Sequence, residues 1–358
     1  MESGSTGTLN LVRILDHIMR WTLAIATYNR PDALRECIKY ALAQSCPPYE
    51  IAVVDASSEW ASSRQMVLKM AGLTHVAYEP AHIRGSAVQR NQLIKIATGD
   101  VLSLIDDDSY MHRACAAEIM KVYEADTDNK VVGVGALQTF AMPDDSTSAM
   151  ELDQPNRPSL RDKLNALFEQ ELDVERMLLP YDENYPDHPV PPSVSHLNVG
   201  STRYMNGFRM TFRRSIISQI GFDESLKKYA SAEDMDASYR ASRFGALLNA
   251  YDARIFHDKS PNERLSRHTR ELLGYMNLAY LYRIKGHDPK RLMMTFSGRL
   301  LRRMAVDAMR DASKQRLSFP CVRADLKALS LLPKILNDRD IDGWYQAMQE
   351  KIISRNIE

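Results

Sequence analysis

The feature that most constrains this chain is a series of short, nearly continuous apolar runs that each stop at a polar residue. Trp21-Thr22-Leu23-Ala24-Ile25-Ala26 stops at the turn Thr27-Tyr28-Asn29-Arg30-Pro31, and Glu50-Ile51-Ala52-Val53-Val54 stops at Asp55. A weaker run, Thr74-His75-Val76-Ala77-Tyr78, stops at Glu79, and Val101-Leu102-Ser103-Leu104-Ile105 stops at Asp106-Asp107-Asp108. Between them, Pro31 to about Gln44 and residues 86–97 read as helices, with Pro31 suited to a first helical turn and Gly99 ending the second segment. A helix from about Arg113 to Glu124 and a strand at 131–137 continue the pattern. Continuous apolar strands alternating with helices predict an α/β fold with a mostly parallel sheet, covered by helices on both faces. Such sheets bind ligands outside the carboxyl ends of their strands. Thr27, Asp55, Glu79 and the aspartate triplet therefore share one rim.

Beyond this core the pattern changes. Residues 139–205 lose periodicity and carry Pro186, Pro189, Pro191 and Pro192, which predicts an irregular insertion with a helix near 159–178. A loop of that length in a compact domain serves as a lid or lacks order. Regular structure resumes at Arg209-Met210-Thr211-Phe212, followed by a turn at Gly221-Phe222-Asp223 and a helix starting near Ala232. Ala246 to Phe256 reads as one or two strands, and residues 266–358 as three or four helices broken near Pro289, Pro320 and Asp338. The expected organisation is a lead helix (1–20), an α/β domain (21–258) and a helical region (259–358). The α/β domain divides into a first half (21–138), the insertion (139–205) and a second half (206–258).

Charge narrows the function. Forty-six basic and 46 acidic residues cancel, which excludes a protein held to nucleic acid mainly by phosphate neutralisation. The sum conceals a split, with 26 basic and 35 acidic residues through Asp258 and 20 basic and 11 acidic from Lys259 onward. Such asymmetry reads either as two separate tasks or as a basic, solvated helical face. Arg299, Arg302, Arg303, Arg310, Lys314 and Arg316 are interleaved with Leu300, Leu301, Met304, Val306, Met309 and Leu317. That mixture suits peripheral binding to an anionic membrane, or a packed helix with a basic outer side. No apolar run approaches the roughly 18–20 residues that span a bilayer. Met1-Glu2-Ser3-Gly4 has no basic n-region, and Cys37, Cys46, Cys115 and Cys321 form no CxxC pair. The expected setting is the reducing cytoplasm.

Two clusters carry chemistry. Asp106-Asp107-Asp108 sets three mutually repelling carboxylates at the end of a strand. It reads as a site for a hard divalent cation, Mg²⁺ or Mn²⁺, or as a solvated turn or helix start. Ser231-Ala232-Glu233-Asp234 matches a capping box, with Ser231 as N-cap and Asp234 reaching back to the backbone, yet a carboxylate at a cleft mouth also suits a general base. Asp236 and Arg240 stand one turn apart as an ion pair. Arg84-Gly85 and Arg90-Asn91 suit either phosphate neutralisation or a solvated helix face, and His257, at a strand end, suits a structural role or a metal ligand. Ser225-Leu226-Lys227-Lys228 matches S-x-x-K without supporting context. Neither GxGxxG nor GxxxxGK[ST] is present, which removes the main support for dinucleotide oxidoreductases and P-loop NTPases.

Taken in order, these segments resemble family 2 glycosyltransferases of the GT-A fold. The T-x-N-R turn is Thr27-Tyr28-Asn29-Arg30, and V-V-D-D-x-S is similar to Val53-Val54-Asp55-Ala56-Ser57-Ser58. G-x-x-x-A-R-N is similar to Gly85-Ser86-Ala87-Val88-Gln89-Arg90-Asn91, and D-x-D to Asp106-Asp107-Asp108. F-R-R, G-F-D-E and E-D-x-D correspond to Phe212-Arg213-Arg214, Gly221-Phe222-Asp223-Glu224 and Glu233-Asp234-Met235-Asp236, with His257 beyond them. The departures are Ala56 for the second aspartate and Gln89 for the usual alanine. The resemblance implies that Thr27, Tyr28 and Asp55 hold the nucleobase, with Asn29, Arg30 and Asp107 beside the donor and Arg90 near the nucleotide. It implies that Asp106 contacts ribose or base, Asp108 ligates Mn²⁺ or Mg²⁺ with His257 as a further ligand, and Asp234 is the general base with Glu233 orienting acceptor or sugar. The implied reaction is inverting transfer from a nucleotide-diphosphate sugar, UDP-linked by the family pattern, to a hydroxyl of a glycan or lipid-linked glycan. A sugar nucleotidyltransferase shares the sheet but opens with a Gly-rich basic loop that residues 25–35 lack. A non-catalytic sugar-nucleotide or glycan-binding protein needs neither Asp108 nor Asp234.

Overall fold

The apolar runs become the inner strands of one nine-stranded sheet. The computed structural model describes residues 19–143, 186–227, 232–258, 265–284, 288–313 and 315–354. β1 (Trp21–Thr27), β2 (Glu50–Asp55), β3 (His75–Pro80) and β4 (Val101–Asp106) lie parallel in the order β3-β2-β1-β4. The sheet continues through β8 (Met210–Arg213), β6 (Val131–Thr139), β9 (Ala246–His257) and β5 (Ser109–Met111), with β7 (Val199–Ser201) also on β9. β6 and β9 run in the same direction as the first four strands, and β5, β7 and β8 run against them. The mixed sheet therefore keeps six carboxyl ends on one rim.

Alternation along the strands divides the core in two. Leu23, Ile25, Ile51, Val53 and Ile105 face α1 (Pro31–Leu42), α2 (Trp60–Ala71) and α4 (Cys115–Ala125). Ala24, Ala52, Val54, Leu102 and Leu104 face α3 (Ser86–Ile96), α5 (Arg214–Ile220) and α6 (Glu233–Ser242). At the opposite end from the rim, fully buried Glu50 accepts bonds from Thr22 Oγ1 (2.7 Å), the Thr98 amide (2.8 Å) and Thr98 Oγ1 (3.0 Å). Burial alone would raise its pKa, but these donors hold the carboxyl below its ordinary value. One side chain thus fastens the starts of β1 and β2 to the end of α3.

Several expectations are revised. Residues 60–71 form a helix that the periodicity did not mark, and 109–111 form a short strand hidden after the triplet. Ala246–His257 is one strand with a bulge against β6. The expected lead helix at 8–20 and the helix near 159–178 fall outside the described residues, apart from 19–20, which are not helical.

The C-terminal region is four helices, α7 (Arg267–Ile284), α8 (Pro289–Ser313), α9 (Pro320–Asn337) and α10 (Ile341–Ser354), broken where proline and Asp338 predicted. They share one apolar cluster with Phe222, Leu226 and Met235, so the core continues across residue 258. Gln349 ties them to the turn beyond α5, accepting from the Lys227 amide (3.0 Å) and donating to the Ser225 carbonyl (2.7 Å). Of the basic stretch, Arg303 turns inward to Glu271 (3.2 Å) and Asp307 (3.0 Å), and Leu300 is buried, whereas Leu301, Met309 and Leu317 are exposed. The side chains of Arg299, Arg302, Arg310 and Lys314 lie outside the described set. No described helix is long and apolar enough to cross a membrane.

Asp325 on α9 is fully buried, and no cationic side chain among the described residues forms an ion pair with it. Burial, reinforced by Asp307, pushes its carboxyl up to about 7. The folded chain therefore binds this proton more tightly than the unfolded chain, whose aspartate titrates near about 3.9. Its contribution to stability is full below about pH 4 and lost as pH rises through about 7. Asp325→Asn is expected to raise Tm by a few degrees at about pH 8 and to flatten the fall in Tm between about pH 5.5 and 8. Thermal melts across that range check this; an unchanged slope would contradict it.

Candidate active site

The rim gathers its side chains through three loops. β1 ends at Thr27, and the chain turns through Asn29 with φ of 52°, a left-handed conformation that asparagine tolerates well. The Asn29 amide donates to Ser57 Oγ (2.7 Å), and Ser57 donates through its hydroxyl (2.5 Å) and amide (2.8 Å) to Asp55 Oδ1. Tyr78 donates to Asp55 Oδ2 (2.6 Å). Asp55 is 1% exposed, so its carboxylate shapes the β1 and β2 loops from within rather than presenting itself to a base. Tyr28 is half-buried, with the Arg84 guanidinium 3.4 Å from its ring centroid.

The triplet bridges the sheet edge. After β4 the chain turns at residues 107–108 and returns as β5, pairing Ser109 with His257 at the end of β9. Successive carboxylates point to opposite sides. Asp107 accepts from Thr27 Oγ1 (2.7 Å) and pairs with Arg30 (2.8 Å). Asp106 and Asp108 turn toward His257, whose Nε2 lies 3.1 Å from Asp108 Oδ1 and 4.0 Å from Asp106 Oδ2. Arg30 holds the other Asp108 oxygen at 2.5 Å, and Phe208 stacks on the imidazole at 4.4 Å between centroids. Burial pushes the Asp107 carboxyl up to about 7 against the pull of Arg30 and Thr27. Burial acts on Asp108 too, but His257 and Arg30 outweigh it and hold that carboxyl below the ordinary aspartate range.

These residues fit a divalent cation. One ligand atom each from Asp106, Asp108 and His257 lie within 4.8 Å of one another, the one such group among the described residues. His257 Nε2 is buried and lies 3.1 Å from Asp108 Oδ1, with Asp106 Oδ2 at 4.0 Å on its other side. An imidazole nitrogen so placed between two carboxylates suits a shared cation with mixed nitrogen and oxygen ligands.

Arg90 links this centre to the opposite wall. Its guanidinium is 6% exposed and donates to Asp106 Oδ1 (2.9 Å), the Gly207 carbonyl (3.1 Å) and Glu233. Glu233 also accepts from Ser86 Oγ at 2.8 Å to each oxygen, and burial pushes its carboxyl up to about 7 despite Arg90. Glu233 is therefore held from within by Arg90 and Ser86. Arg90 is thus engaged by the two carboxylates it lies between. Asn91 instead pairs with the Phe222 backbone, accepting from its amide (2.7 Å) and donating to its carbonyl (2.9 Å).

α6 delivers the second carboxylate. Ser231 falls outside the described residues, and Ala232, with φ of 76°, is the N-cap of the helix and offers no side-chain cap. The expected capping box is replaced by a different use of Asp234, which is half-buried. Its Oδ2 accepts from the Gly207 amide (2.9 Å) and the Tyr204 hydroxyl (3.0 Å), and its Oδ1 from the Met235 amide (2.9 Å). Burial raises this carboxyl above its ordinary value against those donors and Arg90. A Cβ on Gly207 would meet the Arg90 guanidinium at 3.0 Å, so any larger residue there would press on this bridge. Asp236 pairs with Arg240 (2.7 Å), and Arg240 also donates to the Ile220 and Gly221 carbonyls, fastening α6 to the end of α5.

Sequence reasoning missed Gln89 and Tyr204. Gln89 Nε2 donates to the Thr27 (3.0 Å) and Val54 (2.9 Å) carbonyls, holding the ends of β1 and β2 where alanine could not. Its departure from the motif was the available signal; Tyr204 lay in the irregular insertion and gave none.

Residues 22–158 match the family model described as Glycosyl transferase family 2. No curated protein matches the sequence. Among solved structures, the mannosyltransferase PcManGT from Pyrobaculum calidifontis, in complex with GDP-Man and Mn²⁺, is 16% identical with a TM-score of 0.52, over 95% of this chain and 87% of that one. GalNAc-T7, solved with UDP, GalNAc and Mn²⁺, is 13% identical with a TM-score of 0.50. That match covers 74% of this chain and 48% of that one, so this chain spans about half its length. At these identities the likeness shows the fold, which is GT-A.

Arg90→Met leaves Asp106 and Glu233 facing each other without a cation. Removing one partner of a buried ion pair costs about 3–5 kcal/mol. Urea unfolding is expected to show a loss of that order; a loss below about 1 kcal/mol would mean the bridge is solvated.

Proposed function

Because residues 22–158 carry a family 2 glycosyl transferase module, we propose that this chain is an inverting glycosyltransferase acting on a nucleoside-diphosphate sugar. The observation that carries the reading is the placement of Asp106, Asp108 and His257 on one side of Arg90 and Asp234 on the other. A cation-binding group faces the diphosphate end of a donor, and a desolvated carboxylate faces the acceptor end.

Asp106, Asp108 and His257 would hold the cation. Their mixed nitrogen and oxygen set favours Mn²⁺ over Mg²⁺, which prefers an oxygen octahedron. When bound, such an ion offsets the negative charge that collects on a departing diphosphate. Tyr28, with Arg84 across its ring, offers a face to the nucleobase. Arg30 keeps Asp107 and Asp108 from repelling each other and holds Asp108 Oδ2, which leaves Oδ1 toward His257. Asp234 accepts the proton of the acceptor hydroxyl as the new bond to the anomeric carbon forms. The bond from that carbon to the diphosphate oxygen breaks, and its electron pair leaves with the diphosphate. Displacement from the face opposite the leaving group inverts the carbon. The acceptor is a hydroxyl of a glycan or lipid-linked glycan.

Asp234→Asn keeps the shape of this side chain but removes the base. It is expected to lower release of nucleoside diphosphate by about 10²–10⁴-fold while leaving donor and Mn²⁺ binding unchanged. The assay uses Mn²⁺, UDP- and GDP-linked sugars and a panel of glycan acceptors. Unchanged turnover in Asp234→Asn would remove Asp234 from the mechanism. Release of pyrophosphate would instead favour sugar nucleotidyl transfer, and saturable donor binding with no turnover a binding protein.

A further inference from the structure

The general-base reading of Asp234 leaves open what keeps a desolvated carboxylate ionised. The groups facing it are Arg90 from α3, Glu233 beside it on α6, Arg209 at the start of β8, and Tyr204 on the loop from β7 to β8. Arg90 is shared with Asp106 and Glu233, and burial keeps Asp234 above its ordinary pKa.

Tyr204 is placed to act on Asp234 directly. Its hydroxyl lies 3.0 Å from Asp234 Oδ2 and 2.7 Å from the Asn206 amide oxygen. A phenol carries one hydrogen and so donates fully to one acceptor. Of the two, the carboxylate is the stronger acceptor, because charge-assisted bonds are about twice as strong as neutral ones. The two ends of an asparagine amide have the same shape, so the group can present its NH₂ in place of its oxygen. With Nδ2 toward the phenol, Asn206 donates to Tyr204 Oη and the phenolic hydrogen goes to Asp234.

Two donors, the Gly207 amide and Tyr204, then converge on Oδ2, whereas Oδ1 has only the Met235 amide among the bonds described. Oδ1 is the oxygen left to receive a proton. We propose that Tyr204, backed by Asn206, is a positioning residue for Asp234: it stabilises the ionised carboxylate and turns Oδ1 toward the acceptor hydroxyl. The inference rests on Asp234 as the base, and it adds a residue that neither the motif pattern nor the comparisons point to.

The test reads the Asp234 carboxyl itself. Protein labelled with ¹³C at aspartate Cγ is titrated by NMR, and the Asp234 signal is assigned as the one missing from Asp234→Asn. Tyr204→Phe keeps the ring and removes the hydrogen. It is expected to raise the Asp234 midpoint by about one pH unit, the effect of one hydrogen bond to a charged group. Asn206→Asp offers Tyr204 a competing carboxylate and is expected to raise the midpoint at least as far, whereas Asn206→Leu should raise it less. In turnover, the acid limb of kcat/KM for Tyr204→Phe should move by the same amount with KM for donor unchanged. An Asp234 midpoint unmoved in both Tyr204→Phe and Asn206→Asp overturns the inference, even if kcat or Tm falls. Failure of the base reading looks different, as full turnover in Asp234→Asn.

Discussion

Five carboxylates meet on one sheet rim, and the architecture around them is a solution to their repulsion. Asp106, Asp107, Asp108, Glu233 and Asp234 are brought together with two arginines among them, Arg30 and Arg90. Arg30 pairs with Asp107 and Asp108, and Arg90 spans Asp106 and Glu233. Unpaired carboxylates in such surroundings would take up protons rather than remain charged. Asp107 and Glu233, pushed up to about 7, are already near that limit. Two arginines do not balance five carboxylates, and where Asp106 and Asp108 meet His257 a cation is the natural complement.

The same constraint explains the helical C-terminus. The split between an acidic first part and a basic remainder suggested separate surfaces, yet Arg303 is consumed inside by Glu271 and Asp307. Arg267 pairs with Glu271 as well (2.8 Å). Glu271 on α7 and Asp307 on α8 draw these basic residues inward, so part of the positive charge counted in the sequence is neutralised within the helices. With Gln349 and Lys227 joining α10 to the turn beyond α5, these helices brace the wall that carries Asp234.

Much of the rim was legible because it is local. Apolar runs ending in Thr27, Asp55 and Asp106 needed only strand periodicity, and Pro31, Pro289 and Pro320 marked helix starts through their fixed φ. What stayed hidden depends on contacts across the chain. Nothing near residue 108 announces that Ser109 will pair with His257, about 150 residues away. Nothing near Arg90 shows that its partners are Asp106 and Glu233. A capping box around Ser231 was the reasonable local reading of Asp234, but bonds from Gly207 and Tyr204 took that carboxylate instead. Local rules identified the residues of the site; long-range pairing decided which way each one points.

The central claim is that Asp106, Asp108 and His257 form one cation site set apart from the base on α6. Electron paramagnetic resonance of Mn²⁺ titrated into the protein tests it without any substrate. The account predicts a bound Mn²⁺ signal that weakens at least about tenfold in affinity in both Asp108→Asn and His257→Ala and is unchanged in Asp234→Asn. Mn²⁺ binding that survives both ligand substitutions, or that is lost with Asp234→Asn, would contradict it.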